Sequence, residues 1–161
     1  MRLRPLLPSD AKAMARVLSD PALYEFTGGR ALSAQEWGTR LEHLNAGDPT
    51  GTDAWWNLGI LISGGEEPEL AGYVQATVHF AHADVAWVIG VPWQRRGIAT
   101  QAVRELIVNL FAGGVSVVDA HIHKEHLASQ RLAQSLDFVA TGECDDHNEM
   151  IWRLVKTDES T

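Results

Sequence analysis

At 161 residues the chain is long enough to bury a core without disulfides or a structural metal. A formal net charge of −8, with no basic stretch longer than Arg95-Arg96, argues against a nucleic-acid binder and suits a cationic amine as substrate. The single cysteine, Cys144, has no internal disulfide partner, no apolar run approaches the ~20 residues of a membrane span, and Arg2 and Arg4 leading into Pro5 do not open a signal peptide, so a soluble cytoplasmic protein is expected.

In chain order, Leu3 to Leu6 reads as a short strand ended by Pro8, and Ser9 as the N-cap of a helix carrying Met14, Val17 and Leu18 that stops at Asp20-Pro21. The aromatic loop Tyr24-Glu25-Phe26-Thr27-Gly28-Gly29-Arg30 follows. Ser33 with Glu36 three residues on predicts a capping box, and Trp37, Leu41 and Leu44 share one face of the second helix before Gly47. Trp55 to Ile62, Leu70 to Phe80 and Asp84 to Val91 read as an antiparallel meander whose first turn is Ser63 to Pro68.

Pro92 ends the third strand of that meander, and the basic, glycine-containing turn after it leads into the helical pattern of Gln101 to Phe111. A strand, a tight turn and a helix start together make an anion seat. The first amides of a helix have no intrahelical acceptor, and the dipole adds about half a positive charge there. Gly97 and Ala99 leave room for an anion, and Arg95 and Arg96 add forked donors. The plain alternative is a helix start with two solvated arginines. A P-loop would need a lysine where Gly97-Ile98-Ala99-Thr100 has none, and a dinucleotide fold would need its glycines after the first strand.

The third helix sets Ala99, Val103, Leu106 and Leu110 on one face and ends at Gly113-Gly114. A buried-looking strand from Val115 to Ile122 follows, so a strand-helix-strand crossover puts one parallel pair into an otherwise antiparallel sheet. A fourth helix runs from His126 to Leu136, Asp137 takes the left-handed turn out of it, and strands at Phe138 to Gly142 and Met150 to Val155 complete the sheet. The expected fold is α+β, a mixed and mostly antiparallel sheet of about six or seven strands flanked by about four helices. One domain is expected over residues 1–155, with a polar tail at 156–161.

Gln94-Arg95-Arg96-Gly97-Ile98-Ala99 resembles the Q/R-x-x-G-x-G/A loop of the GCN5-related N-acetyltransferase (GNAT) superfamily. The family's N-x-x-[AS], followed eight or nine residues later by Gly-Phe, is matched in spacing by His126, Ser129, Asp137 and Phe138. Asn has become His126, Gly has become Asp137, and Ala133 stands where the family frequently has tyrosine. Ser129 and the aliphatic lead into Leu136 are most similar to the branch that acetylates N-terminal amines of ribosomal proteins.

The resemblance implies transfer of an acetyl group from acetyl-CoA to a primary amine, on a small molecule or a protein N-terminus, by direct attack in a ternary complex. It implies that main chain at Val88, Ile89, Gly90 and Val91 pairs with the pantetheine arm and polarises the thioester carbonyl. Gln94, Arg95, Arg96, Gly97, Ile98, Ala99 and Thr100 would hold the pyrophosphate, with His126 and Ser129 also at the cofactor. Ser129 would protonate the leaving thiolate, and Asp84, in Ala83-Asp84-Val85, resembles the position of a carboxylate base, with Glu143 and Glu149 next in line. Tyr24, Phe26 and Arg30 would meet the acceptor. The implied protein is a monomer or homodimer with no membrane or nucleic-acid partner, and the alternative is a non-catalytic acyl-CoA-binding module of the same fold.

His121-Ile122-His123-Lys124-Glu125-His126 also resembles the H-x-H-x-D-H zinc run of metallo-β-lactamase-type hydrolases, which leaves a zinc hydrolase on His121, His123 and His126 as a further alternative. Glu125 replaces the run's Asp and only His147 follows among the histidines, so no metal is expected. Alternation along a strand, with His121 and His123 on one face and Ile122 on the other, accounts for the pattern.

Overall fold

The computed structural model describes residues 1–157. Strand β1 (Arg2–Pro5) pairs with β2 (Ala54–Ile62), β2 with β3 (Glu69–His79) and β3 with β4 (His82–Ile89), all antiparallel. Helices α1 (Ala11–Val17) and α2 (Ala34–Ala46) lie between β1 and β2 in the chain. Helix α3 (Ile98–Ala112) then crosses over, so that β5 (Val117–Ile122) runs parallel to β4 as its crossover pattern predicts. After α4 (Leu127–Ser135), β6 (Val139–Cys144) and β7 (Met150–Val155) close a seven-stranded sheet in the order β1-β2-β3-β4-β5-β7-β6.

Two cores cover the sheet. Alternation along β4 sends Ala83, Val85 and Ile89 into the larger one with Val103, Leu106 and Leu110 of α3 and Phe138, while Val88 packs against the smaller one. Fully buried Leu106 and Leu110 each stabilise by roughly 1.5–3 kcal/mol relative to exposure. Met14 and Val17 of α1, Trp37 and Leu41 of α2, and Leu61 and Leu70 form the smaller core. The capping box of α2 is formed: Glu36 N–H donates to Ser33 Oγ (3.2 Å) and Ser33 N–H to Glu36 Oε2 (2.8 Å). Such a cap contributes about 1 kcal/mol.

Several boundaries shift for local reasons. Ser9 caps nothing, because Pro8–Asp10 forms a 3₁₀ turn in which Asp10 accepts the Leu7 amide (2.8 Å) and both arms of Arg4. Strand β4 stops at Ile89, since Pro92 folds Val91–Trp93 into a second 3₁₀ turn. The first residues expected in β5 instead finish the turn out of α3, where Val115 N–H donates to Leu110 O (3.0 Å). Asp137 is left-handed as expected (φ 66°). Lys156 N–H bonds Ser116 O (2.8 Å), and residues 158–161 of the expected tail lie outside the described residues. No described helix is long and apolar enough to cross a membrane.

One irregularity positions the site. Ile60 stands opposite Gly72 and Leu61 opposite Leu70, so Ala71 is an extra residue in β3, and its carbonyl accepts the Gly90 amide (2.8 Å). A bulge bends and twists its strand. Gly72 sits so close to β4 that a Cβ there would lie 2.1 Å from Val88 O, which is why this position takes no side chain.

Candidate functional site

The parallel ladder pairs His82, Ala83, Asp84 and Val85 with Val117, Val118, Asp119 and Ala120, and there it ends. Strand β4 continues to Ile89 beside β3 while β5 continues to Ile122 beside β7, with no residue of one opposite the other. The strands therefore fork, and the β5-facing groups of Ala86 to Ile89 have no strand partner. A cavity of about 540 Å³ occupies the fork, within the range of small-ligand sites. Val85 to Val88 and Ala120 to His123 line it, as do His126 and Ser129. The Tyr24 to Arg30 region closes it from the side of α2.

The basic turn lies just beyond the end of β4. Gln94 Nε2 donates to Ile89 O (2.9 Å), which staples the turn to the strand. Arg95 (φ 60°) and Gly97 (φ 74°) are left-handed. Gly97 is the N-cap of α3 with no capping side chain, and the first intrahelical bond is Gln101 N–H to Gly97 O (3.1 Å). The amides of Ile98, Ala99 and Thr100 are thus free of intrahelical acceptors. Ile98 anchors the helix start in the core at 8% exposure, while a Cβ at Gly97 would meet nothing within 4 Å. Main-chain donors, an open face and two exposed arginines are the features an anion seat requires. Gly90 has a different explanation, since a Cβ there would lie 2.8 Å from Val17 at the end of α1. Val91 is exposed in the 3₁₀ turn.

At the other side of the fork, the Phe26 ring stacks on His126 at 4.6 Å and lies 5.6 Å from His123. Tyr24 lines the cavity but its hydroxyl donates to Leu18 O (2.6 Å), which ties the loop to the end of α1. Arg30 pairs with Glu36 at the start of α2. His126 is the N-cap of α4: Ser129 N–H donates to its Nδ1 (3.5 Å), and its Nε2 lies 3.1 Å from Ser129 Oγ. Burial and neighbouring His123 hold His126 below the ordinary histidine range, against the opposing pull of Glu25.

Asp84 is not on the cavity wall. Its carboxylate bonds Nε2 of His121 (3.1 Å), which does line the cavity and whose Nδ1 meets Asp145 in the β6–β7 turn (2.8 Å). Burial alone would lower His121, but the bonds to Asp145 and Asp84 outweigh it and raise its pKa. One pleat away, Asp119, 4% exposed, accepts from Nε and Nη2 of Arg153 (2.8 and 2.6 Å) and meets His82 Nε2 (3.0 Å). Burial would raise Asp119, but those donors keep it below the usual carboxylate range. Of the reserve carboxylates, Glu149 lines the cavity and Glu143 does not.

The histidine run does not converge on one point, because His121 is held between two carboxylates while His126 faces Ser129. Among the described residues, the one group of three ligand side chains within 4.8 Å of one another is His82, Asp84 and Asp119, and Arg153 already occupies Asp119. Sequence reading missed Trp37, Arg40, Tyr73 and Trp87 as cavity-lining residues. Trp37 carried only the signal of a core position, which it also holds, and burial pushes the Tyr73 phenol up.

The family model of the acetyltransferase (GNAT) domain matches residues 1–139. No curated protein sequence matches the chain. Among solved structures, the chain is similar to the ribosomal-protein-S5-alanine acetyltransferase of Vibrio fischeri, at 18% identity and TM-score 0.79, over 99% of this chain and 94% of that one. It is similar to Mycobacterium smegmatis RimJ in complex with CoA-disulfide, at 18% identity and TM-score 0.80, over 95% of this chain and 80% of that one. The aminoglycoside acetyltransferase AAC(6')-Ib in complex with coenzyme A also matches, at 15% identity and TM-score 0.75, over 96% of this chain and 94% of that one. Those structures share the overall fold, and the family match spans β1 through the turn after β4 to the end of α4, so the chain belongs to the GNAT acetyltransferase family, whose co-substrate is acetyl-CoA.

Proposed function

We propose that the protein moves the acetyl group of acetyl-CoA to a primary amine, a protein N-terminus or a small amine, by direct attack within the fork. The observation that carries this reading is the end of the β4–β5 ladder at Val85, with the anion turn one short step beyond β4. The free edge from Ala86 to Ile89 suits an extended amide-bearing arm, and an N–H on that edge can stabilise charge developing on a thioester oxygen. The amides of Ile98 to Thr100, with Arg95 and Arg96, suit a pyrophosphate. Ser129 lines the cavity and would protonate the departing thiolate.

The acceptor reading follows from proton chemistry. An α-amine has a pKa of about 8, so roughly one molecule in ten is already neutral at pH 7, whereas a lysine amine at about 10.4 needs a strong base. Asp84 bonds His121 instead of facing the cavity, so it would take a proton only through water. With Asp84 turned away and Glu149 as the acidic side chain on the wall, an acceptor that is already partly neutral is favoured, and the ribosomal-protein-S5-alanine acetyltransferase among the structural matches supports the same choice. Thiol release from acetyl-CoA is the test, with alanine-, serine- and methionine-initiated peptides, lysine peptides blocked at the N-terminus, and small polyamines. Release with α-amine peptides is expected. Tight CoA binding without release from any amine would favour the non-catalytic module, and neither binding nor release would refute both.

A further inference from the structure

We propose that His126 is a positioning residue that turns the Ser129 hydroxyl into a proton shuttle between the attacking amine and the departing sulfur. The inference rests on the acetyl-transfer reading above and adds to it the group that sets the serine.

Two bonds fix the imidazole. As N-cap of α4, His126 accepts the Ser129 amide on Nδ1 (3.5 Å), so Nδ1 keeps its lone pair and the bonding pattern assigns the ring proton to Nε2. Nε2 lies 3.1 Å from Ser129 Oγ, so Nε2–H donates to the serine oxygen and the serine O–H cannot point at the ring. A serine in the first turn of a helix ordinarily spends its hydroxyl on nearby backbone. Here the histidine does the capping, and the hydroxyl is left to turn into the cavity that both residues line. Phe26, stacked at 4.6 Å, holds the ring in that plane.

A hydroxyl held in this way has one lone pair taken by His126, one free, and its proton free. The nitrogen–carbon bond forms as the carbon–sulfur bond breaks, with the latter electron pair going to sulfur. The amine gives its surplus proton to the free lone pair of Oγ while Ser129 gives its own proton to sulfur. Serine ends as it began, and the products are a neutral amide and a neutral thiol. The arrangement works only with His126 neutral. A proton on Nδ1 would turn the cap acceptor into a donor facing the Ser129 N–H and place a cation at the positive end of the helix dipole. The ionisable groups facing the ring are His123 just past β5 and Glu25 on the loop before α2; burial first and His123 second outweigh Glu25 and favour the neutral ring.

Nitrogen NMR of the ¹⁵N-labelled protein without ligand reads the tautomer directly. The Nε2–H form, titrating below the ordinary value of about 6.5, is expected; an Nδ1–H form, or titration at or above that value, overturns the proposal. With acetyl-CoA and an alanine-initiated peptide, Ser129→Ala is expected to lower kcat by about tenfold to a hundredfold. His126→Asn keeps a side-chain oxygen for the cap and should lower kcat while removing the extra fall below about pH 6.5 that adds to the amine's own ionisation near about pH 8. The double variant should be no slower than Ser129→Ala alone. Additive losses, or an extra fall below about pH 6.5 that survives in His126→Asn, overturn the proposal. An inactive wild type would sink the acetyl-transfer reading separately, and the tautomer measurement, which needs no substrate, still decides the His126 geometry.

Discussion

The anion turn after β4 and the histidine cluster after β5 lie on the two arms of one fork, and they are made of different materials. The turn works through main chain: free amides at Ile98, Ala99 and Thr100, a left-handed Gly97, and a side-chain staple from Gln94. The cluster works through side chains brought from β4, β5, α4, the loop before α2 and the β6–β7 turn, as in Asp84, His121, His126, Phe26 and Asp145. A main-chain site depends on one backbone path and tolerates changes in most side chains. A side-chain site depends on register between segments, and each member matters through its partners. Substitutions on the two arms should therefore fail differently, which makes the comparison testable.

The largest effect is expected at Gly97. A valine there would hold a β-branched residue at a φ of +74°, a strain of about 1–3 kcal/mol, and would cover the amides that face the anion. CoA affinity should fall by at least about a hundredfold, as expected when several charge-assisted contacts are lost together. Pantetheine without phosphates should bind wild type and variant alike. Titration calorimetry with both ligands decides the point, and equal wild-type affinity for the two would remove the anion seat.

Single arginines on the same arm should matter less, since a charge-assisted contact contributes about 1.5–3 kcal/mol. Arg95→Ala and Arg96→Ala should weaken CoA binding by that amount, more at low salt than at high salt. Arg95 offers a further separation because it is itself left-handed (φ 60°). Arg95→Gly loses the charge but also the strain, so it should be about 1 kcal/mol more stable than Arg95→Ala while binding CoA equally poorly. A stability order with alanine above glycine would mean that the turn relaxes when the arginine is removed.

The same contrast explains what was legible in the sequence. The anion turn is local, with strand, glycine and helix start inside one segment, so spacing alone located it. The capping box of Ser33 and Glu36 and the crossover that makes β4 and β5 parallel are also single-segment signals, and both stand in the structure. The Asp84–His121–Asp145 contact needs the register of β4 on β5 and the return of the β6–β7 turn, and no periodicity within a segment encodes either. Alternation did place His121 and His123 on one face, yet not what would face them. The bulge at Ala71 was equally hidden, because Gly72 reveals its purpose only beside Val88.

A smaller effect is expected on the side-chain arm when Asp84 is neutralised. If it draws the amine proton through water, its value to an α-amine acceptor is bounded by the share of amine already neutral, about one in ten at pH 7. Asp84→Asn should thus cost at most about tenfold in kcat/KM at pH 7 and almost nothing at pH 9, with CoA affinity unchanged. A loss that is the same at both pH values would mean that Asp84 acts only by holding His121. A loss far above tenfold at pH 7 would point to an acceptor more basic than an α-amine.

The smallest effect concerns stability, and its sign follows from the His121 clamp. Burial opposes the charged imidazole, but Asp145 and Asp84 outweigh it, so His121 binds its proton more tightly in the folded protein than in the unfolded chain. A raised folded pKa contributes stability that is fully present below the unfolded value of about 6.5 and is lost as pH rises through the folded value. Asp145 has the opposite sense. The Glu149 amide first, and then His121, lower it, so its share is present above the ordinary carboxylate pKa of about 3.9 and is lost as pH falls through its folded value. The clamp is therefore strongest between about pH 4 and 6.5. Partly exposed pairs of this kind contribute up to about 1 kcal/mol, which is roughly 2–4 °C in Tm for a domain of this size. His121→Gln keeps a polar side chain of similar reach, so the Tm gap between wild type and variant should be about that size at pH 5.5 and should close by pH 9. A gap that stays constant, or widens toward pH 9, would show that His121 is neutral in the folded protein and adds no positive charge to the cavity wall.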